Sequence, residues 1–334
     1  MTIIMAAVWT VGLAMAAPAQ AQESPDKVTI GIYINDVQEI DLASNSFTAD
    51  FYLWLRWRDP GLEPTVTIEA MNSTARDNST SSSDGGVVGK PLYEEPLDMP
   101  DGSKYMVLRY QGVFSKEYNL ERYPFDVQDL LLVFEDERLT ADQLEFVPDA
   151  APVTINGDVS LPGYLVGKPR MEVVANKYPT NFGDISAPPT VTYSQVVVTV
   201  PMTRDVPPYL VKLMLPIFIT VLITSLIYVI PARLEEARAS IGVTTMLTVV
   251  ALQWTTDSSL PSVEYLTMLD LIYLIAMFYI LIAMSYTVIA SRRNKYDAAE
   301  ALITQFDRRV GITALILYTM LTAGTMLFYL QRFH

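Results

Sequence analysis

The sequence predicts a membrane protein in two halves, an exported all-β sandwich followed by a four-helix transmembrane bundle. Three observations carry that expectation. The 334 residues are 51% hydrophobic, with a mean hydropathy of +0.25, in spite of a net charge of −14, so charge and apolar mass are segregated. Residues 1–203 hold 13 basic and 28 acidic groups, net −15, whereas 204–334 hold 10 and 9, net +1. The first half alternates in the two-residue period of half-buried strands, and the second carries apolar stretches long enough for a bilayer. Composition also excludes. No basic stripe offers itself to phosphate, which disfavours nucleic acid as a partner. Zero cysteines remove disulfides and thiolate chemistry, and the single histidine, His334, leaves no histidine-based metal centre or triad, so no cofactor, metal or catalytic residue is expected.

Residues 1–21 read as a signal peptide. An apolar run from Ile3 to Ala17 leads to Ala19-Gln20-Ala21, a small-x-small cleavage pattern, although no Lys or Arg precedes it. A run of about 15 residues is short for a span, which needs about 20. Residues 22–203 are therefore expected outside the cell membrane. Within them Phe47–Trp57 and Val191–Val200 alternate apolar and polar, and Pro and Gly break the runs without an intervening amphipathic helix. That pattern suggests an immunoglobulin-like sandwich. Asn72–Lys90, rich in Ser, Thr, Asn, Asp and Gly, reads as a surface loop. The carboxylate clusters Glu94/Glu95, Glu135/Asp136/Glu137 and Asp142/Glu145 raise a glycosidase dyad, but no spacing selects a pair and no enzyme is expected.

Residues 204–334 hold four apolar stretches, Pro208–Ile230, Ser240–Thr256, Tyr265–Ala290 and Val310–Leu330. With their flanks they predict helices over about 208–230, 236–257, 264–290 and 308–330, the second being the least apolar. Arg233 and Arg238 follow the first stretch, and Arg292, Arg293, Lys295, Arg308 and Arg309 lie between the third and fourth. The connection 257–264 has no basic residue. Positive charge stays inside, so residues 1–207 are expected on the periplasmic or extracellular side of a multi-pass inner-membrane protein.

The second stretch differs from the others. Glu236, Ser240, Thr244, Leu247, Ala251, Trp254 and Ser258 are spaced 4, 4, 3, 4, 3 and 4. At about 100° per residue they form one stripe along a helix. A lipid-facing stripe is uniformly apolar, whereas this one begins with an acid and carries three hydroxyls. Two readings stay open: a water-filled path, or helix–helix contact, where Ser and Thr are also common. If copies of the helix ring an axis, carboxylates concentrate cations, hydroxyls replace part of their hydration, and Leu247 and Trp254 form constrictions.

Further motifs recur in order along the chain. They are Trp54-Leu-Arg-Trp-Arg-Asp-Pro60, Tyr123-Pro-Phe-Asp-Val-Gln128, Arg204 with Pro207-Pro208-Tyr209, Pro216, and Met246-Leu-Thr-Val-Val-Ala251. On these residues the chain resembles the pentameric ligand-gated ion channels, the Cys-loop receptor superfamily, and among them the bacterial members, over about 28–334. The resemblance implies a homopentamer in a lipid bilayer, with the second helices around a central pore. It implies pore-lining roles for the seven stripe residues, gates at Leu247 and Trp254, and selectivity for monovalent cations from Glu236. Lys116 and Leu130 stand where animal members carry the two loop cysteines, so packing of Tyr123 and Phe125 must hold that loop. Asp126, Arg204, Pro124 and Phe125 match the junction that couples the halves, with 36–41 and 123–127 pressing on 257–264. Pro216 removes one helical hydrogen bond and gives the first span a place to bend.

The resemblance further implies an agonist site between subunits. Tyr52, Tyr178 and Phe182 fall where the family places aromatic rings around a cation. Glu137 takes the position of an expected ring, and Val66–Ala70 replaces a tryptophan motif. Glu135, Asp136 and Glu137 thus suggest an unknown small agonist, a small cation or protons, with simple solvation as the plainer alternative. The sequence-based expectation is a cation-selective channel opened from outside. The rival is a non-conducting, membrane-anchored periplasmic binding receptor.

Overall fold

The structure, a computed structural model, describes residues 24–74, 89–294 and 300–332. The signal segment 1–21, residues 75–88 of the surface loop, Lys295 and His334 lie outside the described residues. The first half forms β1 (Asp26–Asp41), β2 (Ser46–Trp57), a single helical turn α1 (Pro64–Thr67), β3 (Ile68–Ala70), β4 (Lys90–Pro91), β5 (Leu97–Asp98) and β6 (Lys104–Ser115). It continues through β7 (Val127–Asp136), β8 (Leu144–Ile155), β9 (Tyr164–Val166), β10 (Arg170–Tyr178) and β11 (Val191–Arg204).

One sheet runs β4-β6-β2-β1-β8 with β5 on β6, and the other runs β10-β11-β7-β3 with β9 on β11. The two-residue period decides which side chains fill the space between them. Val28, Ile30, Ile32 and Ile34 of β1 are fully buried, as are Phe51, Leu53 and Leu55 of β2. Leu130, Leu132 and Phe134 of β7 and Val196 and Val198 of β11 answer from the second sheet. Phe51, Tyr110 and Phe134 pack with ring centroids 5.2–5.8 Å apart and tie the sheets together. Most pairings are antiparallel, but β1 runs parallel to β8, from Asp26 opposite Leu144 to Ile34 opposite Ile155.

The second half begins one residue after β11. Its first span, Val206–Tyr228, is built from α2 (Val206–Tyr209), a π-helical turn (Leu210–Met214), α3 (Leu215–Ser225) and a 3₁₀ turn (Leu226–Tyr228). Then come α4 (Glu235–Asp257), α5 (Met268–Asn294) and α6 (Glu300–Arg332). Among the described residues, three helices are long and apolar enough to cross a membrane: Val206–Tyr228, Met268–Arg292 and Gln305–Arg332. This corrects the expectation of four apolar spans. The helix α4 forms over 23 residues as anticipated, but Glu235, Glu236, Arg238, Ser240 and its many threonines dilute its apolar character. It packs against α3 and α5. On that buried side lie Arg238, Gly242, Thr245, Val249 and Thr256.

Candidate functional site

The seven stripe residues of α4 all stand exposed on this chain, opposite the buried side. Leu247 is 65% exposed and Trp254 76%, far more than apolar side chains at the core of a helical bundle. Val243 and Val250 flank the stripe and are also exposed. Ser291 on α5 donates a hydrogen bond to Glu235, which fixes the first turn of α4 and leaves Glu236 facing outward.

The junction between the halves is a buried charge cluster. Arg204, the last residue of β11, donates from Nε to Asp126 Oδ1 at 2.6 Å and from a terminal nitrogen to Oδ2 at 2.9 Å. Both side chains are 2% exposed. Three rings, those of Tyr123, Tyr164 and Tyr209, lie 4.7–4.8 Å from the guanidinium. Gln128 Nε2 donates to Asp126 Oδ2 at 2.8 Å and to the Asn119 carbonyl at 2.7 Å. Burial alone would lower the Arg204 pKa, but the hydrogen bond and charge of Asp126 more than offset it and hold the group firmly charged. Burial pushes Tyr123 up to about 12, against the pull of Arg204. Pro124 is buried beside a cis Tyr123–Pro124 bond, and Phe125 packs on the core. The hydrogen bonds to the helices come from slightly earlier in this loop than 123–127. The Leu120 amide donates to Tyr265 Oη at 2.9 Å, and the Met268 amide to the Glu121 carbonyl at 2.9 Å. The glycine at 163 is required here, with φ +85° and Tyr209 Oη only 2.8 Å from where a Cβ would stand.

The acidic run at the end of β7 divides three ways. Glu135 is 3% exposed and accepts from Asn176 Nδ2 at 2.8 Å, Gln195 Nε2 at 2.6 Å and Tyr178 Oη at 3.0 Å. Tyr178 sits 5.3 Å from the Phe182 ring and 5.8 Å from that of Tyr193, and burial followed by the Glu135 bond raises its pKa. Asp136, also 3% exposed, bonds Thr67 Oγ1 and the amides of Arg138 and Leu139, a structural turn. Glu137 pairs with Arg138 at 3.0 Å near the surface. Glu135 is thus a buried carboxylate with three donors, one of them a member of the ring cluster Tyr178, Phe182 and Tyr193. Tyr52 is not gathered into it. It lies on the other sheet, 5.6 Å under the Arg109 guanidinium, which pairs with Asp50 at 2.8 Å.

Sequence reasoning missed Asn176 and Gln195, whose strands β10 and β11 carry no local signal for a Glu135 partner. It also missed Tyr164 beside Arg204. Among the described residues no three acidic or histidine side chains converge as a metal site.

A sandwich whose last strand runs directly into a bundle of membrane-length helices defines a folded β domain joined to a candidate membrane domain. No family model matches the chain. It is 25% identical over 295 residues to the pH-sensitive chloride channel 2 of Drosophila melanogaster, covering 82% of this chain and 55% of that one. It is 23% identical over 274 residues to the acetylcholine-gated chloride channel subunit acc-2 of Caenorhabditis elegans, covering 78% and 59%. A third, the pH-sensitive chloride channel 2 of Anopheles gambiae, is 26% identical over 263 residues, covering 72% and 42%. The chain thus spans only about half the length of these curated relatives. These relatives are members of the Cys-loop pentameric ligand-gated channel superfamily, and the chain is similar to them over most of its length. The relatives are animal channels, so the comparison speaks for the superfamily and not for a bacterial branch. They are channels and not enzymes.

The same relatives overturn the expected cation selectivity, because each is named a chloride channel. The physical reason lies at the start of α4. Glu236 is exposed in the first turn, close in sequence to the exposed Arg233, where water and salt screen a charge within about 8 Å. The α4 N-terminus has no side-chain cap and adds a partial positive charge of its own. One carboxylate there does not fix the sign of the permeating ion.

Proposed function

We propose that the chain is one subunit of a homopentameric ligand-gated chloride channel, with α4 lining the pore and residues 22–203 outside the membrane. The observation that carries this reading is the exposed stripe of α4. A membrane-length helix that presents hydroxyls, Leu247 and Trp254 on one face, with its neighbours packed on the other, suits a wall between bundle and water. Rings of Leu247 and Trp254 would close such a path by dewetting. The chloride relatives support the ion, and the screened, uncapped N-terminus of α4 is compatible with it.

Opening follows from a two-state switch whose stimulus favours one state. The proposed stimulus is an extracellular proton or small organic cation acting at Glu135, Tyr178 and Phe182, the first a buried carboxylate and the others rings suited to a cation. Movement of β10 and β11 then reaches the helices through Arg204 and Asp126. The test is recording from the full chain in cells over a pH series and with small amines. The reversal potential is expected to follow the chloride equilibrium potential when external chloride is replaced by gluconate. A reversal that follows sodium would overturn the ion. Glu135→Gln is expected to shift the stimulus dependence and leave the reversal potential unchanged. No current under any stimulus would return the non-conducting receptor.

A further inference from the structure

One buried ion pair has no part in the reading above. Arg238 is the only basic residue of α4, and its side chain is 1% exposed. A terminal nitrogen donates to Asp307 Oδ2 on α6, itself 2% exposed. Arg238 Nε donates to the Ile230 carbonyl at 2.9 Å, just past the first span. The other oxygen of Asp307 accepts from Tyr286 Oη of α5 at 2.5 Å. The helices α4, α5 and α6 and the turn after the first span therefore meet at one guanidinium–carboxylate pair. The remaining terminal nitrogen of Arg238 is buried with no hydrogen-bond partner, so the guanidinium is held by Asp307 and Ile230 and is not fully satisfied there.

Rotation connects this pair to the stripe. Two residues along a helix turn about 200°, so Arg238 lies nearly opposite both Glu236 and Ser240. One turn on, Gly242 fills the same buried side so tightly that a Cβ would meet Met284 Cγ at 2.4 Å. We propose that Arg238 and Asp307 are a positioning pair that locks the rotation of the pore helix and keeps the guanidinium out of the stripe. A buried guanidinium without its carboxylate is driven toward water. On the pore reading, the exposed side of α4 beside Glu236 and Ser240 offers such water. The residues that α4 shows to the pore are thus chosen in part from α6, which supplies none of them. The inference rests on the pore reading of α4.

The chain has no cysteine, so a single introduced thiol is the only one present. Ser240→Cys on the stripe and Thr245→Cys on the buried side are made in the full chain, each with native Asp307 and with Asp307→Asn. The rate of modification by a membrane-impermeant thiol reagent is read in intact cells and in inside-out patches. With Asp307 present, Ser240→Cys is expected to react and Thr245→Cys to be protected. With Asp307→Asn that ratio is expected to narrow about tenfold or more, because the loss of its partner makes the buried charge costly. Adding Arg238→Met to Asp307→Asn removes the group that seeks water and is expected to restore the native ratio. An unchanged ratio in Asp307→Asn overturns the lock, and so does an equal loss with and without Arg238→Met, the mark of simple loosening. If Asp307→Asn does not assemble, rescue of assembly by Arg238→Met supports the lock and failure to rescue overturns it. An unreactive Ser240→Cys with Asp307 native would instead count against the pore reading.

Discussion

Asp126 and Arg204 are each 2% exposed and satisfy one another with two hydrogen bonds. Removing one partner of such a buried pair costs about 3–5 kcal/mol, whereas an exposed pair contributes about 0–1 kcal/mol. Asp126→Asn is therefore expected to lower the melting temperature in detergent and reduce surface expression. Glu145→Gln, which loosens the exposed Lys27–Glu145 contact at 3.9 Å, is expected to change neither. Tyr123 gives a pH signature at the same place. Its folded pKa of about 12 lies above the usual 10.0, so the folded state holds the proton longer than the unfolded chain. Its contribution to stability is complete below pH 10.0 and is lost as pH rises toward about 12. Tyr123→Phe is expected to flatten the alkaline fall in melting temperature, and an equally steep fall in both proteins would remove Tyr123 as its source.

At the scale of elements, α4 and α5 approach closely at Gly242. In an open helix Gly→Ala stabilises by about 1 kcal/mol through backbone entropy. Here the methyl would stand 2.4 Å from Met284 Cγ, a near atom of the side chain and not its flexible end. Overpacking costs about 1–3 kcal/mol and wins. Gly242→Ala is expected to lower the melting temperature, and a rise would show that α5 yields freely. The strands were largely legible because alternation is written into neighbouring residues, as in Ile30, Ile32 and Ile34 against Gly31 and Tyr33. The start of α4 was legible to within one residue, Glu236 expected and Glu235 found. The parallel pairing of β1 with β8 was not, since more than a hundred residues separate Asp26 from Leu144 and no local pattern joins them. Asp307 stayed hidden for a similar reason. In sequence it is one more charge beside Arg308 and Arg309, and only packing reveals that it faces Arg238.

At the scale of the whole molecule, segregation of charge was the most informative feature of the sequence, since it divided sandwich from helices before any motif was considered. Ion selectivity was the least legible property. In the proposed assembly it belongs to the summed field of the whole pore mouth, where screening and helix dipoles weigh alongside any single carboxylate. The residues expected at an agonist site are only partly gathered by the fold. Glu135, Tyr178 and Phe182 come together within one chain, whereas Tyr52 stands on the other sheet.

Only Asp205 separates the end of β11 from the start of α2. The fold consequently leaves little slack between the last strand of the sandwich and the first membrane-length helix. The buried Arg204–Asp126 pair stands at that joint, so a rotation of β11 would bear directly on the turn that opens the helix.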